Sequence, residues 1–382
     1  MEYQNSTLHR DLDCGSMVKL LCSIAKKGLA ICYSENTNPL PYTCRPADNN
    51  VHKLVGSSFR YAIISQIGIA EWLKTHPEDR AHLPNLWPKI IDNYHNITDI
   101  GDLALVLWAA VANKADNCEL LARTLSTSWQ SQANLCNAVE LGWIIQACTL
   151  ALSEQGHLKP HIGPVLNQAK TNLVSLFRPQ RSLFQRHNRA GIAETISRRI
   201  ACFADQVYPI LAMSTYGLLF NDKQSIEIAA RATEKICRLQ GPLGQWWWHY
   251  DTSRGEVSEE YPVFSVHQHA MAPMAIMASD KASGENHLER IKCSIRWLLG
   301  DNELHTNLLL DEAGIIWRDI EKREPVKLSR GLRSLLCISN LHSLNKLAGK
   351  CFIGFRINYE CRPYELGWIL YTWANSRSES ET

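Results

Sequence analysis

Residues Gln240–Ala275 read QGPLGQWWWHYDTSRGEVSEEYPVFSVHQHAMAPMA, and the reading of this stretch decides the fold. A helical pattern charged on one face ends just before it, a turn-rich segment around Gly255 fills its middle, and a strongly apolar helical run opens at His267. Trp246, Trp247 and Trp248 are consecutive, so their side chains point in different directions whatever the backbone does, and at least one is expected to face a cavity or a partner. Asp251 follows them closely, and His267, Gln268 and His269 open the apolar run. Aromatics, a carboxylate and imidazoles gathered where a loop becomes a helix read as one wall of a binding cavity.

The same grammar, a polar start followed by a helix apolar nearly all round, recurs at GSSFRY from Gly56, TDIGDLA from Thr98, NAVELGW from Asn137, ADQVYPI from Ala204 and RPYELGW from Arg362. These starts predict buried helices over Phe59–Trp72, Asp102–Val111, Val139–Leu152, Gln206–Leu219, His267–Ala278 and Tyr364–Trp373. Between them run helices with one charged face, Asn85–Tyr94, Glu119–Trp129, Gly163–Phe177, Lys223–Leu239, Glu285–Leu299 and Ser329–Leu347. Buried and half-exposed helices in alternation predict an all-α protein, an (α/α)6 toroid with six inner and six outer helices. The uneven spacing of the inner helices argues against an open superhelix of equal repeats. One or two small β-hairpins are expected in loops, around Arg254-Gly255 and Ala313-Gly314. The expected organisation is an N-terminal extension (1–50) packed on a toroid domain (51–375), then a polar tail (376–382) that frays.

Lys plus Arg number 40 against 38 for Asp plus Glu, a net charge of +2, so the overall balance offers no field for nucleic acid. No apolar run is long enough to span a bilayer and no leader precedes the helical body, so a cytoplasmic protein is expected. The 13 cysteines are odd in number, and several, such as Cys148 and Cys237, fall inside apolar helical patterns, which predicts reduced thiols. Metal-ligand spacings, glycine-rich phosphate loops and the nucleophile elbow of serine hydrolases are missing, so no cofactor or metal is expected.

In a toroid the six helix starts converge. Asp102, Glu140, Asp205 and Glu365 would then meet at one funnel, with Asp251 and His267 alongside, and these are the candidate catalytic residues. Converging like charges raise some carboxyl pKa values while neighbouring arginines lower others, the spread that acid/base chemistry needs. Arg60, Tyr208, Trp247, Trp248, Gln268, His269 and Arg362 are the candidate substrate-binding residues. Each first-turn acid also has a plain reading as a helix cap, since helix starts favour negative charge.

Two resemblances follow. The run of inner-helix starts carrying acids, His and Arg around aromatics resembles six-hairpin glycosidases and the related sugar epimerases and lyases over roughly Gly56–Ala374. That likeness implies a carbohydrate-active enzyme with a small-molecule or oligosaccharide substrate. Gln240, Gly244 and Trp246 resemble a single copy of the Gln-X-X-X-Gly-X-Trp motif of terpenoid cyclases, which implies an isoprenoid substrate with Asp205 as the initiating acid. A non-catalytic toroid that binds a glycan or peptide is the third reading.

Overall fold

The computed structural model describes residues 13–33, 41–46, 52–323 and 354–375. In chain order its main helices are α1 (Cys14–Cys32), α2 (Phe59–Thr75), α3 (Trp87–Asn93), α4 (Ile100–Ala112), α5 (Cys118–Gln132), α6 (Ala138–Glu154), α7 (Lys159–Leu176), α8 (Ile192–Arg199), α9 (Ala204–Phe220), α10 (Lys223–Arg238), α11 (Ala272–Ser283), α12 (Leu288–Leu298) and α13 (Pro363–Trp373). The apolar helices α2, α4, α6, α9, α11 and α13 touch one another in that order, and α13 returns to α2, which closes the ring. Outside it, α5 packs on α4, α7 on α6, and α10 on both α9 and α11. The architecture is the (α/α)6 toroid that the alternation predicts.

The helix starts are fixed locally. The Ser58 hydroxyl accepts from Tyr61 N at 3.3 Å to begin α2, and Asp99 accepts from Asp102 N at 3.0 Å to begin α4. Asn137 and Glu140 form a reciprocal capping box on α6. The fifth inner wall differs in one respect from expectation: a π-helical turn, His267–Met271, precedes α11. Pro273 near the start of α11 has no N–H to give, which suits the first turn of a fresh helix. The segment Cys14–Cys32 forms a helix capped by Asp13 whose buried side, from Met17 to Cys32, lies against α13. The expected helix Ser329–Leu347 and the tail 376–382 lie outside the described residues.

Both expected hairpins are present. Strands β1 (Thr43–Pro46) and β2 (His52–Val55), and β3 (Phe177–Arg178) and β4 (Leu183–Phe184), form two-stranded pairs. Strand β5 (Ile200–Cys202) pairs with β6 (His249–Asp251), which pairs with β7 (Glu256–Glu259) across the turn at Gly255. Strand β8 (Val263–Phe264) joins β11 (Asp319–Lys322) and β12 (Phe355–Asn358), while β9 (Leu309–Leu310) and β10 (Ile315–Ile316) bracket Gly314. The hairpins are therefore parts of small sheets formed by loops that connect helices.

Ring closure depends on two glycines. A Cβ on Gly68 would stand 1.9 Å from the Gly367 carbonyl oxygen, and one on Gly367 would stand 2.5 Å from Ser65 Cα. Backbone lies directly on backbone there, so no side-chain motion relieves a methyl group. Gly68→Ala is expected to lower unfolding free energy by about 2–3 kcal/mol in denaturant titration. Gly156→Ala, with nothing within 4 Å of the new methyl, serves as the control and should leave stability nearly unchanged.

His287, at the start of α12, ties α12 to α10 and α11. Its Nδ1 meets Asp280 Oδ1 at 2.7 Å and its Nε2 meets Glu234 Oε2 at 3.1 Å. Burial opposes its charge, but the two carboxylates outweigh it and raise its pKa above the ordinary 6.5. The folded state therefore holds the proton more tightly than the unfolded chain, so the contribution is complete below the unfolded value and is lost as pH rises through the folded one. The melting-temperature gap between the protein and a His287→Asn variant should be wider at about pH 6 than at about pH 9.

Candidate active site

The starts of the inner helices meet at one end of the ring, where their side chains form an unbroken chain of contacts. On α2, Arg60 donates to Asp102 on α4 and pairs with Asp99 at 3.4 Å, while its guanidinium lies 5.4 Å over the Trp143 ring of α6. Trp143 meets Tyr208 of α9 edge-on at 5.3 Å, and Tyr208 leans on Trp368 of α13 at 6.0 Å. Tyr61 packs on Tyr364 at 4.5 Å on the opposite side, and Tyr42 stacks on Tyr61 at 5.1 Å. Arg362 lies 3.8 Å over Tyr42 and shares Glu360 with Arg318, at 2.7 and 3.3 Å. Arg318 in turn covers Phe264, whose ring meets both Trp248 and His267.

The four expected acids all lie in the first turns of their helices, α4, α6, α9 and α13, but in different environments. Burial raises the Asp102 carboxyl even though Arg60 pulls the other way, and its side chain keeps 18% of its surface. Burial likewise raises Glu140, against the Asn137 N–H it accepts at 2.7 Å as part of its capping box. Asp205 is closed off from solvent and raised by burial, with its Oδ2 accepting the Cys202 N–H at 2.8 Å. Glu365 is pushed up to about 8 by burial and lies 3.7 Å from His269, too far for a hydrogen bond. Asp319 rises to about 7 for the same reason. At neutral pH Glu365 is mostly a neutral acid, able to donate a proton.

The remaining candidates divide. His267 packs on Phe203 at 4.6 Å at the mouth, but burial depresses its imidazole to about 3, so it takes a proton poorly. His269, also depressed to about 3 by burial, points the other way, toward α13, and its carbonyl accepts from Trp373 Nε1 at 2.8 Å. Trp248 is the tryptophan left half-exposed at the mouth, whereas Trp246 is enclosed and Trp247 is turned onto Tyr261 at 5.7 Å. Gln268 is fully buried and committed to backbone, accepting from Trp246 N at 3.3 Å and donating to Phe264 O at 3.2 Å. Asp251 ends strand β6 rather than lying among the helix starts. Burial works against its charge, but two bonds from Arg199, at 2.8 and 2.6 Å, and one from Ser253 hold its carboxyl below the ordinary value. Gln268, Trp247 and Asp251 therefore support the wall from behind.

Gln240 and Gly244 of the cyclase-like motif also work as a brace. Gln240 Nε2 donates to Gly244 O at 3.1 Å and to Arg290 O of α12 at 2.9 Å. Gly244 has φ +90°, and a Cβ there would meet Cys293 O at 2.4 Å.

One pair escaped the sequence reading. His249 Nδ1 lies 2.8 Å from Glu259 Oε2, with the imidazole stacked on Trp248 at 4.1 Å and its side chain 21% exposed. A carboxylate on Nδ1 draws a ring proton to that nitrogen and holds the imidazole in one orientation. The two residues are cross-strand partners, but a register shift between His249 and Tyr250 separates them from simple counting back from the turn.

Known structures share this architecture. The chain is similar to a sugar epimerase from a ruminal bacterium, with TM-score 0.62 and 11% identity over 96% of this chain and 100% of that one. It is similar to an unsaturated glucuronyl hydrolase from Streptococcus agalactiae, with TM-score 0.56 and 14% identity over 95% and 92% of the two chains. An unsaturated glucuronyl hydrolase specific for heparin gives TM-score 0.56 and 12% identity over 94% and 96%. No protein-family model and no curated protein sequence matches the chain. The fold is that of the six-hairpin toroids, and at such identities the likeness establishes the fold alone.

The neutral Glu365 has a consequence for stability. Its folded pKa, about 8, exceeds the ordinary 4.5, so stability it contributes is complete below about 4.5 and is lost as pH climbs to about 8. Glu365→Gln mimics the protonated acid at every pH. The melting temperature of the variant should fall less steeply than that of the protein across this window; parallel profiles would show that Glu365 is ionised throughout.

Proposed function

We propose that this protein is a carbohydrate-active enzyme that works by acid/base catalysis at the funnel mouth, within the range of sugar hydrolysis, elimination and epimerisation. The observation that carries the reading is the gathering of Arg60, Asp102, Glu140 and Glu365 from four separate inner helices around half-exposed aromatic faces. Sugars bind by stacking apolar ring faces on aromatics while their hydroxyls meet a few charged groups, and Trp248, Tyr61 and Tyr364 provide such faces. Asp102 and Glu140 keep partly accessible side chains, and burial raises both, which suits one to give a proton to a leaving oxygen and the other to act as base. Arg60 orients Asp102.

The ion pairs around the mouth favour a polar ring over an isoprenoid chain, and Asp205, whose carboxylate is buried and turned onto the Cys202 N–H of β5, is a poor initiating acid for cyclisation. A second reading within the carbohydrate class rests on His249. An imidazole held by Glu259 suits removal of a proton from carbon next to a carbonyl, the step of an epimerase or a lyase.

Asp102→Asn and Glu140→Gln should each reduce kcat/KM at least about a hundredfold on a sugar substrate while binding changes little. A non-catalytic binding toroid would show no turnover and unchanged affinity. Mass analysis of products formed in D2O separates the reactions: gain of water across a cleaved bond marks hydrolysis with the carboxyl pair, and uptake of one deuteron without cleavage marks epimerisation with His249.

A further inference from the structure

The near-zero net charge hides a local concentration. Residues 178–199, which lead from α7 into β5, hold six arginines, Arg178, Arg181, Arg186, Arg189, Arg198 and Arg199, against one acid, Glu194. Three of the six have a common setting. Arg186 and Arg189 are exposed and Arg198 half-exposed, and no ion pair joins any of them to a carboxylate among the described residues. Backbone bonds hold the group at the mouth: Ala138 N, at the start of α6, donates to Arg186 O at 2.8 Å, and Arg186 N donates to Arg198 O at 3.3 Å. Arg189 Nε donates to Leu135 O at 3.1 Å. The charge of Arg189 reaches Glu140 at the start of α6 and that of Arg186 reaches Asp205 at the start of α9, while Arg198 is tied to Arg186 through the backbone.

Their fields overlap. Burial first, then Arg189, Arg186 and Arg198 together, lower the pKa of His187, against a smaller opposite pull from Glu194. Glu194, the acid of the segment, lies against Gly191. Like charges gathered without counter-charge repel, and a surface that keeps them at the edge of a concave site is suited to an anion brought by the ligand. Guanidinium groups bind sulfate, phosphate and carboxylate oxygens through paired donors.

We propose that Arg186, Arg189 and Arg198 form an anion-binding lip beside the reaction centre, which holds a sulfate, phosphate or carboxylate group on a neighbouring residue of an anionic oligosaccharide. This deepens the carbohydrate reading and rests on it. The lip acts on the part of the substrate chain that does not react, so it contributes to affinity and selection.

The test is calorimetric binding to the full chain of a size-defined sulfated oligosaccharide and of its desulfated counterpart, with Arg186→Gln/Arg198→Gln as the variant. Neither side chain bonds to another group in the described fold, and far-UV circular dichroism checks that the variant remains folded. The expected result is at least tenfold weaker binding of the sulfated sugar by the variant, restored by Arg186→Lys/Arg198→Lys, with steep weakening of the unaltered protein by salt and little effect on the desulfated sugar. Equal binding of the sulfated sugar by protein and variant would overturn the proposal. So would single-stranded nucleic acid of matched charge binding as tightly as the sulfated sugar. Because binding is read without turnover, loss of the catalytic reading and loss of the lip give different results.

Discussion

The contact of α2 with α13 through Gly68 and Gly367 is the constraint on which the molecule depends. These are the first and last inner helices, far apart in sequence, and their backbones touch where any methyl group would collide. Ser65, one turn before Gly68, reinforces the seam, with its Oγ 3.3 Å from Pro363 O and 3.1 Å from the Tyr33 hydroxyl of the loop after α1. A row of helices that failed to meet here would be an open arc, and its helix starts would line a groove instead of a mouth. Closure brings Tyr61 against Tyr364 and places Arg362 and Glu365 beside residues of α2.

Once closed, the ring sets the electrostatics of its own mouth. Six helix starts turned the same way bring positive dipole ends and first-turn acids together, while the aromatic belt of Trp143, Tyr208 and Trp368 excludes water from beneath them. Acids near the surface, such as Asp102, meet an arginine and stay accessible. Acids lower down, such as Glu365, gain less from Arg318 and Arg362 than burial costs them, and so hold their proton. The gradient from paired carboxylate to neutral acid follows how deeply each acid is buried, and it is the spread that the proposed acid/base chemistry would draw on.

What the sequence discloses follows from how local each signal is. The inner helices announce themselves because a helix apolar all round has one stable place, and Asp99, Asn137 and Ser58 mark starts by caps that reach three residues ahead. Glu140 was legible both as cap and as candidate site residue, and the capping box is present. Long-range pairings were hidden: nothing in the spacing says that Glu360 is shared by Arg318 and Arg362, or that Asp251 is taken by Arg199, 52 residues earlier. The His249–Glu259 pair was concealed by the bulge, which breaks the period-two alternation that otherwise shows which strand residues share a face.

The stretch Gln240–Ala275 makes the division of labour concrete. Gln240 and Gly244 lock the chain to α12, and with that anchor set, the extended backbone sorts three identical side chains to three fates. Trp246 enters the core on Phe203 at 5.8 Å, Trp247 packs on Tyr261, and Trp248 emerges at the mouth over His249. The two residues of the run that reach the site, Trp248 and His249, are adjacent, which an undistorted strand would send to opposite faces. Trp248 precedes β6 and is free of the strand's alternation, while the extra residue of the bulge lies on β7 and brings Glu259 opposite His249, so the irregularity that hid the pair from pattern reading is also what forms it.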